Sequence, residues 1–351
     1  MKQPKGSIIF SLFILLSLGL VIIWSTAPEL FLTQLSFFVA GVILVVLLQK
    51  VDINLLFSIS GIFYILSILL LFLTEIVGRN IRGSVRWIDL GFFNLQTSEI
   101  IKPLLAIFYS QYLSTHSLKT TKSFIIFMAL SIFPVVLVAK QPDLGSALTL
   151  FFLPLALLAV TGHFKKLLVF GIVALAIFLP LESKVLKPYQ RQRLESFINP
   201  YQDPQGSGYN VIQATIAIGS GGLFGKGVRL GTQSQLNFLP ERHTDFVFAS
   251  FSEEFGFLGI AVLFSLYFFL LSRFLRISSQ LRQSNHSLLS LSVFFIFIFQ
   301  AVVNIGMNLG VMPVTGITLP IFSYGGSSLL SFALLIGLEL RLLDLITPFE
   351  I

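Results

Sequence analysis

Apolar residues in this chain fall into long blocks separated by short polar interruptions. The blocks are too long for strands and too uniformly apolar for helices with one wet face. A bilayer crossing takes about 20 mainly apolar residues. By that measure ten blocks qualify: 8–25, 30–48, 54–77, 97–115, 123–139, 143–161, 166–182, 245–272, 288–310 and 324–345. Block 97–115 carries Glu99, Lys102 and Pro103, and block 143–161 carries Pro154. Charge and proline at membrane depth are tolerated where neighbouring helices or a wet cavity satisfy them. The pattern predicts an all-α integral membrane protein with ten transmembrane helices. The first block follows Lys2 and Lys5 as a signal peptide would. It lacks a small-residue cleavage site and a soluble domain after it, so it is read as a retained span.

The basic residues set an orientation. With the N-terminus inside, the inner face takes 11 lysines and arginines and the short outer loops take 5 (Arg79, Arg82, Arg86, Lys102 and Lys140). That bias predicts N-in and C-in. The polar segments 78–98, 183–244 and 311–323 then share the outer face, and residues 1–351 read as a single membrane domain with 183–244 as its large outer loop. The loop is not a linker. KVLKPYQRQRLESF mixes basic and apolar positions as an amphipathic surface helix does. NPYQDPQGSGYN is dense in turn residues, and VIQATIAIGSGG predicts a short, partly embedded helix ending at Gly219–Gly222.

Composition narrows the class. Apolar residues make up 55% of the chain and charged residues 11%, against about 25% charged in soluble domains. A soluble or disordered chain is excluded. The absence of cysteine removes disulfides, thiolate metal sites and cysteine nucleophiles. The net charge of +7 fits orientation and anionic lipid. No basic run with interleaved aromatics suggests nucleic acid.

Several motifs invite chemistry. GSGGLFGKG fails as a phosphate loop, because Ser220 stands where its first glycine belongs and Gly227 follows Lys226 in place of Ser or Thr. GSGYNV lacks the third glycine of a dinucleotide loop. No Asp-x-Asp pair appears, and the four histidines show no metal spacing. The sharpest segment is LPERHTDFVFASFSEEFGFLG, where the long loop enters a span. Asp245 is expected in the first helical turn with Thr244 as N-cap, beside Glu241, Arg242 and His243. A helix dipole accounts for an acid there; a half-sheltered carboxylate can equally take a proton from a sugar hydroxyl. Glu253 and Glu254 lie about two turns deeper, where two adjacent acids favour a polar interior. Glu99 and Lys102, spaced i, i+3, can pair. Arg86, Trp87 and Asp89 are expected in an outer loop, with Trp87 also suited to an interfacial anchor. Asp143 is expected at the outer start of a span, where capping and function explain it equally well. NIGMNLGVMPVTGITLPIFSYGGSS breaks a span with Gly and Pro and restarts it at Ser323, which points to a lined cavity or to glycine packing.

Taken in order, these segments resemble the SEDS family of cell-wall polymerases (shape, elongation, division and sporulation). The resemblance rests on GSVRWIDLG with TSEIIKP, on KQPDLGSAL, on YQRQRLESFINPYQDPQGSGYNVIQATIAIGSGG, on GTQSQLNFLPERHTDFVFASFSEEFG and on NIGMNLGVMPVTGITLPIFSYGGSS. It covers essentially the whole chain. GTQSQ and the short N-terminal tail are similar to the elongation branch, with the division branch as the alternative. The resemblance implies a ten-helix fold and an inverting peptidoglycan glycosyltransferase in the bacterial cytoplasmic membrane. That enzyme polymerises lipid II at the outer face and releases undecaprenyl pyrophosphate during cell elongation. It implies Asp245 as the essential aspartate and general base. A divalent cation, Mg or Mn, is the cofactor expectation, with no organic cofactor. The implied partners are a class B penicillin-binding protein and other elongation-complex membrane proteins. Arg86, Trp87, Glu99, Lys102, Asp143, Arg191, Arg193, Lys226, Glu241, Arg242, His243, Glu253 and Ser323 are the expected substrate contacts, with Arg86, Arg191, Arg193, Lys226 and Arg242 as candidate partners for pyrophosphate. A precursor flippase is the competing reading, since broken helices and intramembrane charges fit it too.

Overall fold

A computed structural model describes residues 5–81, 84–91, 93–172, 188–206 and 208–346. It is a multi-pass membrane protein, mostly helical. Helices α1 (Lys5–Thr26), α2 (Phe31–Leu48), α3 (Ile53–Ser58) and α4 (Ser60–Val77) are followed by α5 (Thr97–Thr115), α6 (Thr121–Lys140) and α7 (Leu144–Leu158). A π-helical turn at Ala159–His163, with Gly162 at φ 83°, separates α7 from α8, helical over 164–172. Then come α9 (Pro188–Ile198), α10 (Tyr209–Ser220), the single turn α11 (Thr232–Gln235), α12 (Val247–Gln280), α13 (Ser284–Asn308) and α14 (Gly326–Ile346). Seven helical stretches of the described residues are long and apolar enough to cross a membrane. Helices α5 and α14 are as long but carry Glu99 with Lys102, and Glu339 with Arg341 and Asp344.

The all-α expectation needs one correction. Segment 78–98 is not an irregular loop but a three-stranded antiparallel meander: β1 (Arg79–Ile81), β2 (Ser84–Asp89) and β3 (Asn94–Gln96). Strand β2 alternates in SVRWID, which puts Arg86 and Ile88 on one face and Trp87 on the other. Trp87 pairs with Gln96 and Asp89 with Asn94, and Gly91 takes the tight turn between them at φ 84°. The backbone N–H of Gln96 donates to Ser327 Oγ at 2.8 Å, which ties the sheet to the start of α14. The block 54–77 also divides, at Ile59, into α3 and α4. In the long loop, α9 and α10 fall where a surface helix and a short helix are expected, and Lys184 and Lys187 lie outside the described residues. The second half of block 166–182 lies outside them too.

Burial is inverted relative to a soluble protein. Helix α2 turns Leu32, Val39, Ile43 and Val46 outward, and α4 does the same with Ile62, Ile65 and Ile76. Exposed apolar surface on this scale needs lipid to cover it. The central helices α5, α13 and α14 bury serines, Gln300, Asn304, Asn308 and Glu339. Side chains cap the helix starts: Asp52 accepts from Asn54 N, Thr120 from Ser123 N and Asp143 from Ser146 N. These caps satisfy backbone donors that the helix cannot.

Candidate functional site

The starts of α5, α7, α12 and α14 and the end of α13 meet at one end of the bundle, beside the sheet. Asp245 stands there, half-buried, just before α12. The helix begins at Val247 with Phe246 as N-cap and no side-chain cap bond, so Asp245 is not in its first turn and Thr244 is not its cap. The reason lies in the turn before it. Glu241 adopts φ 49°, and its carbonyl accepts from Thr244 N and Phe246 N, each at 3.1 Å. The Thr244 hydroxyl faces back to the Glu241 carboxylate at 3.2 Å.

Two asparagines hold this turn. Asn304 Nδ2 and Asn308 Nδ2 donate to the Asp245 carbonyl at 3.0 and 2.9 Å, and Asn308 Oδ1 accepts from Ala249 N at 3.0 Å. Asn304 Nδ2 also donates to Ile317 O at 2.7 Å, which brings in the chain between α13 and α14. Gly316 lies on that chain at φ 76°; a Cβ there would come within 3.6 Å of Asp245 Oδ2, so glycine keeps the approach open. Ser323 Oγ donates to Thr244 O at 2.8 Å, and Tyr324 N donates to His243 O at 2.8 Å. Arg242 Nε donates to Thr26 O at 2.9 Å. The main chain around Asp245 is thus fixed from three sides.

The side chain is not. Among the described residues the Asp245 carboxylate accepts no hydrogen bond. Burial pushes its pKa up to about 6; Glu241 and Asp143 add to the rise, and Arg193 and Arg86 oppose it. Two guanidinium groups therefore act on a carboxylate that neither of them neutralises by contact. Arg86 Nη1 lies 3.9 Å from Asp143 Oδ1 and stacks over Trp87, while its Nε is buried without a partner. Asp143 caps α7 and accepts from Gln96 Nε2 and Ser98 Oγ at 2.9 and 2.8 Å.

Other predicted residues form separate groups. Glu99 and Lys102 pair at 2.6 Å inside the bundle, and Glu99 Oε2 is buried without a partner. Glu253 is wholly buried and accepts from Lys226 Nζ at 2.7 Å, Thr232 Oγ1 at 3.1 Å, Gln233 N at 3.0 Å and Ser234 N at 3.3 Å. Gly256, at φ 63°, breaks α12 just below. The loop is hydrogen-bonded into that break, with Lys226 N on Glu253 O and Phe257 N on Gly222 O, both at 2.9 Å. Glu254 accepts from Ser25 Oγ. The structure thus brings Asp245, Arg86, Arg193, Asp143 and Glu241 into one electrostatic site and places Lys226 with Glu253 in another. Arg191 is on α9, and its side chain lies outside the described residues. Sequence reasoning missed Asn304, Asn308, Gln96 and Ser98. The asparagines carried a signal: two amides spaced i, i+4 on one face of an apolar span.

A helical membrane bundle with an uncommitted acid at one end, beside a sheet and a folded loop, defines a class rather than a protein. The profile of the FtsW/RodA/SpoVE family, described as cell cycle protein, matches residues 6–344, and the chain belongs to this family. It is similar to the peptidoglycan glycosyltransferase MrdB of Escherichia coli K12, 38% identical over 90% of this chain and 87% of the relative. It is also similar to the probable peptidoglycan glycosyltransferase FtsW of Coxiella burnetii, 36% identical over 93% of each. Among solved structures, a chain from a peptidoglycan synthase complex that coordinates polymerization and crosslinking superposes with a TM-score of 0.82 at 36% identity, covering 99% of both chains. The crystal structure of the Thermus thermophilus rod shape determining protein RodA superposes with a TM-score of 0.73 at 32% identity, covering 99% of this chain and 98% of that one.

Proposed function

We propose that this chain is a peptidoglycan glycosyltransferase of the elongation type, polymerising lipid II with Asp245 as general base. The observation that carries the reading is the Asp245 carboxylate: rigidly placed through its main chain, free of hydrogen bonds among the described residues, and held near a pKa of about 6 by burial. A base with that value is mostly ionised at neutral pH and still strong enough to share a proton. Asp245 takes the proton of the acceptor's 4-hydroxyl as that oxygen bonds to the donor's anomeric carbon. The bond from that carbon to the pyrophosphate breaks, α becomes β, and undecaprenyl pyrophosphate leaves with the electron pair. Arg86 and Arg193 are the cations that act on this site, and they stabilise the departing charge. Lys226 is committed to Glu253 and serves the loop. A Mg or Mn ion would need only one or two carboxylates together with the substrate's pyrophosphate; Asp245 and Asp143 are the carboxylates that would hold it, and no group of three metal-ligating side chains occurs among the described residues.

The topology that suits this chemistry has ten spans, with α3 and α4 as one and α7 and α8 as two, both termini in the cytoplasm, and Asp245 at the outer face of the cytoplasmic membrane. An apolar groove of about 230 Å³ between α1, α2 and α14 reaches Ile321, two residues from Ser323, and suits a polyprenyl tail. A class B penicillin-binding protein is the partner, supported by the likeness to a chain of a synthase complex. The test is the purified protein in detergent with lipid II, alone and with that partner. Glycan strands are expected. Their absence under both conditions, with flipping restored in vesicles, would give the function to a flippase.

A further inference from the structure

A second cleft, of about 590 Å³, opens at the end of the bundle opposite Asp245. The end of α5 and the turn after it form one wall, the π-helical turn Ala159–His163 another, and the start of α13 the third. Its basic rim is Lys119 with the imidazoles of His116 and His163; the hydroxyls of Thr161, Ser284 and Ser287 stand beside them, and among the described residues no carboxylate lines it. Its floor is apolar, formed by Leu113, Leu118 and Leu288.

Both imidazoles are set by neighbours. His116 stacks on Tyr112 at 4.3 Å, and its Nδ1 lies 2.9 Å from Thr115 Oγ1 and 3.3 Å from Tyr112 O. A carbonyl only accepts, so Nδ1 carries the proton. His163 Nδ1 lies 3.2 Å from Thr161 Oγ1, whose own proton goes to Leu157 O at 2.9 Å. Its Nδ1 is therefore the donor as well. In both rings Nε2 is the nitrogen left to face a ligand. The wall is braced: Lys166 Nζ donates to Leu118 O at 2.7 Å and to Lys119 O at 2.6 Å. A basic rim free of carboxylates among the described residues, over an apolar floor, matches an anionic amphiphile. Basic pockets between membrane helices bind lipid headgroups in this way.

We infer that this cleft binds the phosphate headgroup of an anionic phospholipid from the leaflet at that end, with the first methylenes of its chains against the leucine floor. The inference does not depend on the catalytic reading of Asp245, and its test reads binding rather than polymerisation. The experiment is thermal unfolding of the delipidated full chain in neutral detergent. The additives, at equal concentrations, are dihexanoyl phosphatidylglycerol, dihexanoyl phosphatidylcholine or inorganic phosphate. Phosphatidylglycerol alone is expected to raise the Tm, by about 5 °C at a hundredfold excess over its dissociation constant. The triple variant His116→Ala, His163→Ala, Lys119→Ala should lose that rise while keeping its Tm in phosphatidylcholine. If the triple variant folds poorly, Lys119→Glu, a change on an exposed side chain, should at least halve the rise. An equal rise with phosphatidylcholine, or a rise that survives these substitutions, would overturn the proposal. An equal rise with inorganic phosphate would overturn it too, in favour of a soluble-anion site.

Discussion

Asp245 and Glu253 are eight residues apart, at the mouth of the same helix, and the fold treats them in opposite ways. Glu253 is wholly buried, with both carboxylate oxygens occupied by Lys226, Thr232, Gln233 and Ser234. Those bonds close the 226–234 loop onto the break at Gly256. Asp245 has its main chain clamped by Asn304 and Asn308, while its carboxylate is left open. An acid saturated with hydrogen bonds stabilises structure; an acid held in place but unsaturated is available for chemistry. The difference cannot be read from charge, because both residues are acids, and burial alone separates only a wholly buried side chain from a half-buried one. It follows from where the hydrogen bonds go.

The comparison can be broken most sharply at Asp245. Asp245→Ala should lower glycan synthesis by about 10²–10⁴-fold, with little change in yield of folded protein; lipid II polymerisation in detergent measures it. Glu253→Ala should do the reverse and cost about 3 kcal/mol of stability by orphaning Lys226 and two backbone donors. Thermal unfolding would show this, and the surviving folded fraction should keep its specific activity. Asn308→Ala should sit between them. It removes bonds to Asp245 O and from Ala249 N, for about 2 kcal/mol, and lowers turnover roughly tenfold through misplacement of the base.

The pH profile sharpens the same contrast. A base with a pKa raised to about 6 loses activity as pH falls below that value, about tenfold per pH unit, and levels off above it. For stability the sign is opposite to that of a salt-bridged acid. The raised value means that the protonated form favours the fold. That contribution is complete below the unfolded value of 3.8 and is lost as pH rises to about 6. Ionisation at pH 7 then costs at most about 3 kcal/mol, less whatever solvent screens. Within the pH profile, Arg86→Ala should move the acid limb upward by less than about one pH unit, since Arg86 opposes the rise, on top of the rate it loses at every pH as a cation that stabilises the departing pyrophosphate.

Much of this was legible beforehand. The apolar blocks marked the helices of the bundle because a bilayer imposes one length on every crossing. The Asp245 segment stood out because it gathers Glu241, Arg242, His243 and Asp245 just before Glu253 and Glu254, and charge inside a span is rare. The sheet at 79–96 was not legible: its strands are three to six residues long, too short for an alternation to stand out. The Lys226–Glu253 pair escaped because a loop lysine and a helix glutamate 27 residues apart meet only after the loop folds back. Asn304 and Asn308 were readable as polar residues on one helix face, but what they would hold was not.

The most direct measurement places Asp245→Asn and Glu253→Gln side by side and reads glycan formed per folded molecule together with Tm. The account predicts that Asp245→Asn makes no polymer while its Tm at pH 7 equals or exceeds that of the unaltered chain. It predicts that Glu253→Gln melts lower but polymerises at near-normal rate per folded molecule. Polymer from Asp245→Asn at the normal rate, or a folded and inert Glu253→Gln, would contradict it.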